Sequence, residues 1–184
     1  RNHRKLIRKK FIDGIKQYIN PPEIFKWIAR FDDDIDLTQL SSLLEKIDKS
    51  NENVALLQAD LEVAKGEPFR KKGIKHTSKE SIVLFDVDEH KELLGGLEGQ
   101  KGLERLKNTF EILKEIEPIF QKGEFLVRPS SSFGLDEGMK LHIYAKLKEP
   151  RTRNELRVWM KNHSLDVSIY HKGQMWFAAR PLLI

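Results

Sequence analysis

The run Ser81-Ile82-Val83-Leu84-Phe85-Asp86-Val87-Asp88 constrains the fold more than any other segment. Its branched and aromatic residues read as an apolar strand over residues 81–87. Side chains alternate across a strand, so Val83, Phe85 and Val87 share one face and Leu84, Asp86 and Asp88 the other. The chain must bury the first face while keeping two carboxylates on the second. A sheet with helices packed on one side meets that demand.

The rest of the chain to its end supplies such helices and strands. Residues 102–120 carry Leu103, Leu106, Phe110, Leu113 and Ile116 at helical spacing. Residues 124–130 read as a second strand. Residues 139–147 alternate strictly and read as a third. Residues 152–162 read as a helix opening on Thr152-Arg153-Asn154-Glu155, a capping box, with Leu156, Trp159 and Met160 as its core face. Residues 165–170 read as a fourth strand, continued through 175–178. The order is β-α-β-β-α-β, an α+β fold of the ferredoxin-like or RRM-like kind. Its helices cover one sheet face and leave the other open.

Residues 1–66 read differently, as a mainly helical subdomain. Leu6, Ile7, Phe11, Ile15 and Ile19 form one helical stripe that stops at Pro21-Pro22. Ile24, Phe25, Trp27, Ile28 and Phe31 suggest a second helix, and Leu37, Leu40, Leu43, Leu44 and Ile47 a third. Residues 67–80 form a basic connecting loop, and residues 81–184 the RRM-like core.

The same alternation sorts the other strands. Arg128 and Ser130 oppose Phe125 and Val127; Lys140, His142 and Tyr144 oppose Leu141, Ile143 and Ala145; Asp166 and Ser168 oppose Leu165, Val167 and Ile169. A ferredoxin-like sheet sets its first strand between the third and the fourth. Asp86 and Asp88 then lie beside His142 on one side and Asp166 on the other. Three carboxylates so placed repel unless a cation neutralises them. Hard oxygen donors suit Mg²⁺ or Mn²⁺, and carboxylates around two such ions are the usual equipment for in-line phosphoryl displacement. Arg128, Lys140, His142 and Lys172 supply positive charge and donors for a triphosphate.

Charge and composition agree with a polyanion partner. Net charge is +5 over 184 residues, with Arg4, Lys5, Arg8, Lys9 and Lys10 clustered at the start and Arg70, Lys71, Lys72, Lys75 and Lys79 just before the acidic strand. No apolar run reaches the roughly 20 residues that cross a bilayer, so no membrane partner is expected. The absence of cysteine excludes disulfides, thiolate zinc sites and cysteine nucleophiles, and fits a cytoplasmic setting. The chain starts at Arg1 and ends on Pro181-Leu182-Leu183-Ile184, the expectation being a piece of a longer protein.

An Asp-x-Asp strand end also occurs in haloacid-dehalogenase-like phosphatases. Those normally carry Thr or Val two residues after the second Asp, where this chain has His90, and their parallel, doubly wound sheet does not match the strand order here. His76, His90, His163 and His171 lack ligand-like spacing.

Taken together, Val83-Leu84-Phe85-Asp86-Val87-Asp88, Lys140-Leu141-His142-Ile143-Tyr144 and Leu165-Asp166-Val167-Ser168 resemble the three motifs of the archaeo-eukaryotic primase superfamily, in particular its primase-polymerases. The resemblance covers residues 81 to about 180. It implies that Asp86, Asp88 and Asp166 hold the catalytic metals, that His142 contacts the phosphates of the incoming nucleotide, and that Ser168 belongs to the third motif. Where the family has a small residue two before the histidine, this chain has Lys140, whose ammonium can serve the phosphates. Ser130 or Ser132, in Arg128-Pro129-Ser130-Ser131-Ser132, can supply the hydroxyl. The implied activity is DNA primase or polymerase, with two Mg²⁺ or Mn²⁺ ions, a single-stranded DNA template, a primer and dNTP or NTP substrates. A helicase or another replication module in the parent chain is a further expectation. The alternatives are a non-catalytic RRM-like nucleic-acid-binding module and a rolling-circle replication nickase.

Overall fold

The computed structural model describes residues 10–12, 15–17, 35–49, 79–88, 90, 97, 99–130, 133, 138–163, 165–171 and 182–183. The elements are β1 (Lys10–Ile12), β2 (Ile15–Gln17), α1 (Leu37–Lys49), β3 (Lys79–Val87), α2 (Gly102–Ile116), β4 (Leu126–Pro129), β5 (Leu141–Thr152), α3 (Arg153–Met160) and β6 (Leu182–Leu183). Two 3-10 turns, Pro118–Phe120 and Val167–Tyr170, complete the set. The chain is therefore α+β.

The principal sheet is antiparallel, in the order β3-β5-β4. β3 pairs with β5 in the register Val83↔Ala145, Phe85↔Ile143 and Asp86↔His142. β4 pairs with the other edge of β5, Val127↔Ile143 and Arg128↔His142. Pro129, which has no N–H to give a ladder, sits at the end of the edge strand β4, where that loss is tolerated. The first and third expected strands thus pair as anticipated, and β5 runs five residues beyond the expected end at 147.

One face of this sheet is packed by α2, α3 and the turn after α2. Phe85 meets Phe120 edge-on at 5.1 Å and Trp159 at 5.9 Å, and Phe120 meets Phe125 at 5.6 Å. Edge-to-face rings at these separations add about 0.5–1.5 kcal/mol each beyond the area they bury. The α2 stripe is narrower than its spacing suggested. Leu113 is fully buried and Leu106 and Phe110 pack on the core, but Leu103 and Ile116 are exposed. Pro118 breaks the helix short of Phe120, which enters the core from the 3-10 turn instead.

α3 starts as its sequence predicts. Thr152 Oγ1 accepts from the Glu155 backbone N–H, and the Glu155 carboxylate accepts from the Thr152 N–H at 2.7 Å. A cap of this kind contributes about 1 kcal/mol. Leu156 and Met160 are buried as expected, whereas Trp159 stays half-exposed while its edge reaches Phe85.

Three expectations need correction. The first helical stripe is not a helix where it is described: β1 and β2 pair antiparallel, Phe11↔Lys16, and β6 joins β1 in parallel to form a second, three-stranded sheet. The two residues between β1 and β2 are Asp13-Gly14, a dipeptide that favours hairpins over helices. The expected fourth strand is also absent, because Val167–Tyr170 is a 3-10 turn capped by the Asp166 side chain. Nor is the second sheet face open. α1, the third helix expected from sequence, lies over it: Leu40, Leu44 and Ile47 are buried, and Asp48 pairs with Arg128 of β4. The second expected helix (24–31), residues 67–78 of the connecting loop and the extension at 175–178 lie outside the described residues; the last two residues of that loop, Lys79 and Glu80, instead open β3. Among the described residues no helix is long and apolar enough to cross a membrane.

Candidate active site

The site grows from the end of β3. Asp86 faces His142 directly across the ladder, and His142 faces Arg128, so the three lie in one row across three strands. His142 Nε2 is 3.5 Å from Asp86 Oδ1. One step further along, Lys140 Nζ is 3.3 Å from Asp88 Oδ1. At the far end of the row, the Arg128 guanidinium contacts the Asp48 carboxylate of α1. Each acid of this face thus has a basic neighbour. The surroundings open progressively along β3: the Asp86 side chain keeps 17% of its surface and that of Asp88 43%.

Lys140 reaches Asp88 from a left-handed backbone, φ +52°. For a residue with a Cβ this conformation costs on the order of 1 kcal/mol. The neighbouring hydrogen bond holds it: the Ser130 N–H donates to the Lys140 carbonyl at 2.7 Å, closing the β4–β5 ladder. Ser130 is buried there.

Asp166 arrives from the segment after α3. Its backbone N–H donates to the Asp86 carbonyl at 3.0 Å, which sets it at the outer edge of β3, where the fourth strand was expected. Its carboxylate accepts the Ser168 N–H at 2.7 Å and the Ser168 hydroxyl at 2.8 Å. Asp-x-Ser turn chemistry explains why the segment coils instead of extending. Ionised carboxylate oxygens keep further lone pairs after one bond each, so capping does not exhaust Asp166 as a donor to a cation.

Two side chains hold this segment in place. The Tyr170 hydroxyl donates to the Leu84 carbonyl at 2.8 Å and accepts from the Leu84 N–H at 3.0 Å, filling the free edge of β3 next to Asp86. Arg153 is buried against Glu80, Nε to Oε1 3.1 Å, and its Nη1 donates to the His171 carbonyl. Leu84 and Asp86 both direct their backbone groups to this outer edge. Asp86 and His142 are therefore a non-hydrogen-bonded pair, the kind in which facing side chains come closest.

Tyr144 lies next to this row, in register with Leu84 on one side and Leu126 on the other, and is fully buried. Burial pushes its phenol well above the ordinary value. The Arg128 guanidinium opposes that rise, and the Asp86 and Asp48 carboxylates add to it. Burial also raises Tyr170, against the lowering effect of its Leu84 hydrogen bond. A raised phenol value favours the neutral form in the fold. Stability from both groups is then complete below the unfolded value of about 10 and is lost as pH rises above it, by roughly 1.4 kcal/mol per phenol per pH unit. Urea unfolding followed across that range should show a plateau and then a steep fall, and Tyr170→Phe should make the fall shallower.

Of the residues proposed from sequence, Asp86, Asp88, His142, Lys140, Arg128 and Asp166 come together at this end of the sheet. Ser168 joins through Asp166, and Ser130 through the Lys140 carbonyl. Ser132 and Lys172 lie outside the described residues. Among the described residues no group of three or more His, Asp or Glu side chains is arranged as a metal site. The three carboxylates are hard oxygen donors: Asp86 lies by His142, Asp88 by Lys140, and Asp166 accepts from Ser168. Sequence reading missed Asp48 and Tyr170. Asp48 follows the α1 stripe with no mark of its own, and Tyr170 was read as the end of a strand. No protein-family model, curated protein or solved structure matches the chain.

Proposed function

We propose that this domain catalyses template-directed nucleotidyl transfer, as a DNA primase or polymerase core of RRM-like type. The observation that carries the reading is the row Asp86–His142–Arg128 across three strands, with Asp166 hydrogen-bonded to Asp86 at its end. That row sets an acidic pole beside a basic one, which is what a nucleotide triphosphate with its divalent cations needs. The β3-β5-β4 order, with Asp166 at the free edge of β3, supports the RRM-like assignment.

Asp86, Asp88 and Asp166 would hold Mg²⁺ or Mn²⁺, with oxygen donors of the right hardness. A cation held there would supply Lewis acidity for an attacking 3′-hydroxyl and positive charge for the departing pyrophosphate. His142 and Arg128 bind and orient the phosphates. Lys140 leaves Asp88 for the same phosphates when the acids gain another counter-charge. The basic residues at 70–79 and near the N-terminus are suited to tracking the template backbone.

Base stacking on an open RRM-like sheet is the weaker alternative, because Tyr144, the aromatic residue of that face, is buried. A nickase of related fold wants two histidines flanking one apolar residue; Lys140-Leu141-His142 offers one. Primer extension on a single-stranded DNA template tests the proposal. His142→Ala should raise the KM for dNTP about tenfold or more, the value of a charge-assisted hydrogen bond. An unchanged KM would remove His142 from the nucleotide site.

A further inference from the structure

We propose that Asp48, on α1, is a positioning residue for Arg128: it grips one edge of the guanidinium so that the other edge is presented to a phosphate oxygen of the bound nucleotide. The proposal rests on the nucleotidyl-transfer reading and gives α1 a part in nucleotide binding.

Three observations support it. First, Asp48 is partly buried, with 9% of its side chain exposed, and it contacts Arg128 through Nη2. Burying two charges is costly, and a long side chain so paired loses most of its rotamer freedom. Second, Arg128 Nη1 is buried and has no hydrogen-bond partner among the described residues. A guanidinium is a planar fork suited to two anions at once, so one fork arm held by Asp48 leaves donors for a second oxygen. Arg128 is also in register with His142, which faces Asp86, so its side chain starts from the row that the substrate would occupy. Third, Asp48 occupies the last turn of α1. The helix dipole disfavours a carboxylate there and favours cations such as Lys46 and Lys49, so local helix stability does not account for it.

The test is calorimetric titration of the chain with dATP in the presence of Mn²⁺ and without template. It compares wild type with Asp48→Asn, Arg128→Ala and the double variant, and melting curves establish that each is folded. Asp48→Asn and Arg128→Ala should each weaken binding about tenfold or more, and the double variant should bind no more weakly than Arg128→Ala alone. Asp48→Glu should restore part of the loss, and Asp48→Ser takes the place of Asp48→Asn if that variant does not fold. Additive losses would mean that Asp48 acts on the fold alone and would overturn the proposal. So would unchanged affinity in either single variant, or tighter binding by Asp48→Asn, which would mark Asp48 as a competitor of the anion. Absence of nucleotide binding by folded wild type would instead overturn the nucleotidyl-transfer reading itself.

Discussion

Asp86→Asn should slow nucleotide incorporation by about 10²–10³-fold or more, the scale on which removal of one electrostatic group acts in a preorganised site. The fold should survive. Asn keeps the volume of Asp86, and the backbone carbonyl that accepts the Asp166 N–H is untouched. What disappears is one negative charge beside His142 Nε2. With one acid gone, the remaining pair attracts a divalent cation less strongly, and His142 loses the carboxylate beside its Nε2. Single-turnover incorporation measures the rate, and circular dichroism during heating measures the fold. A rate within a few-fold of wild type would remove Asp86 from the chemistry. Collapse of the melting transition would show instead that its charge is structural.

Tyr170→Phe should be the most damaging single-atom change. The hydroxyl serves both the N–H and the carbonyl of Leu84, a residue with 1% exposure, so its removal leaves two buried backbone groups unsatisfied. At about 1–3 kcal/mol per group the loss is roughly 2–6 kcal/mol, a large part of the stability of a small domain. The same bonds hold the Asp166 segment to β3. The Asp166 amide should therefore exchange with solvent faster in the variant, and incorporation should fall with it. The Arg153–Glu80 brace and the Arg153 bond to the His171 carbonyl remain as the second tether. Urea unfolding gives the stability, and amide exchange gives the tether. A stability change under about 0.5 kcal/mol would mean that Leu84 finds other partners.

The sequence was most legible where pattern and packing obey one rule. The apolar strand that carries Asp86, the strand of His142 and the capping box at Thr152 each depend on local periodicity or local hydrogen bonds, and each forms, the two strands with shifted ends. Their side-chain parity was enough to bring Asp86, His142 and Arg128 to one face. Legibility failed where two rules compete over a short span. Leu165, Val167 and Ile169 alternate like a strand, but the Asp166–Ser168 turn is formed within two residues and coils the segment first. Phe11 and Ile15 suit a helical stripe, but Asp13-Gly14 lies between them and favours a hairpin. Contacts between distant parts of the chain had no sequence signal. Asp48 meets Arg128 across 80 residues, and Tyr170 meets Leu84 across 86. That is why a face expected to be open carries a helix, and why both residues escaped notice.

Synthesis on a bare single-stranded DNA template tests the function most directly. The chain would be supplied with dNTPs or NTPs, with or without primer, in Mg²⁺ or Mn²⁺, beside an Asp86→Ala/Asp88→Ala variant. Nucleotidyl transfer by this site requires metal-dependent products that follow the template sequence and vanish in the folded double variant. Products that persist in the double variant, or template cleavage in Mn²⁺ without nucleotides in place of any synthesis, would contradict it.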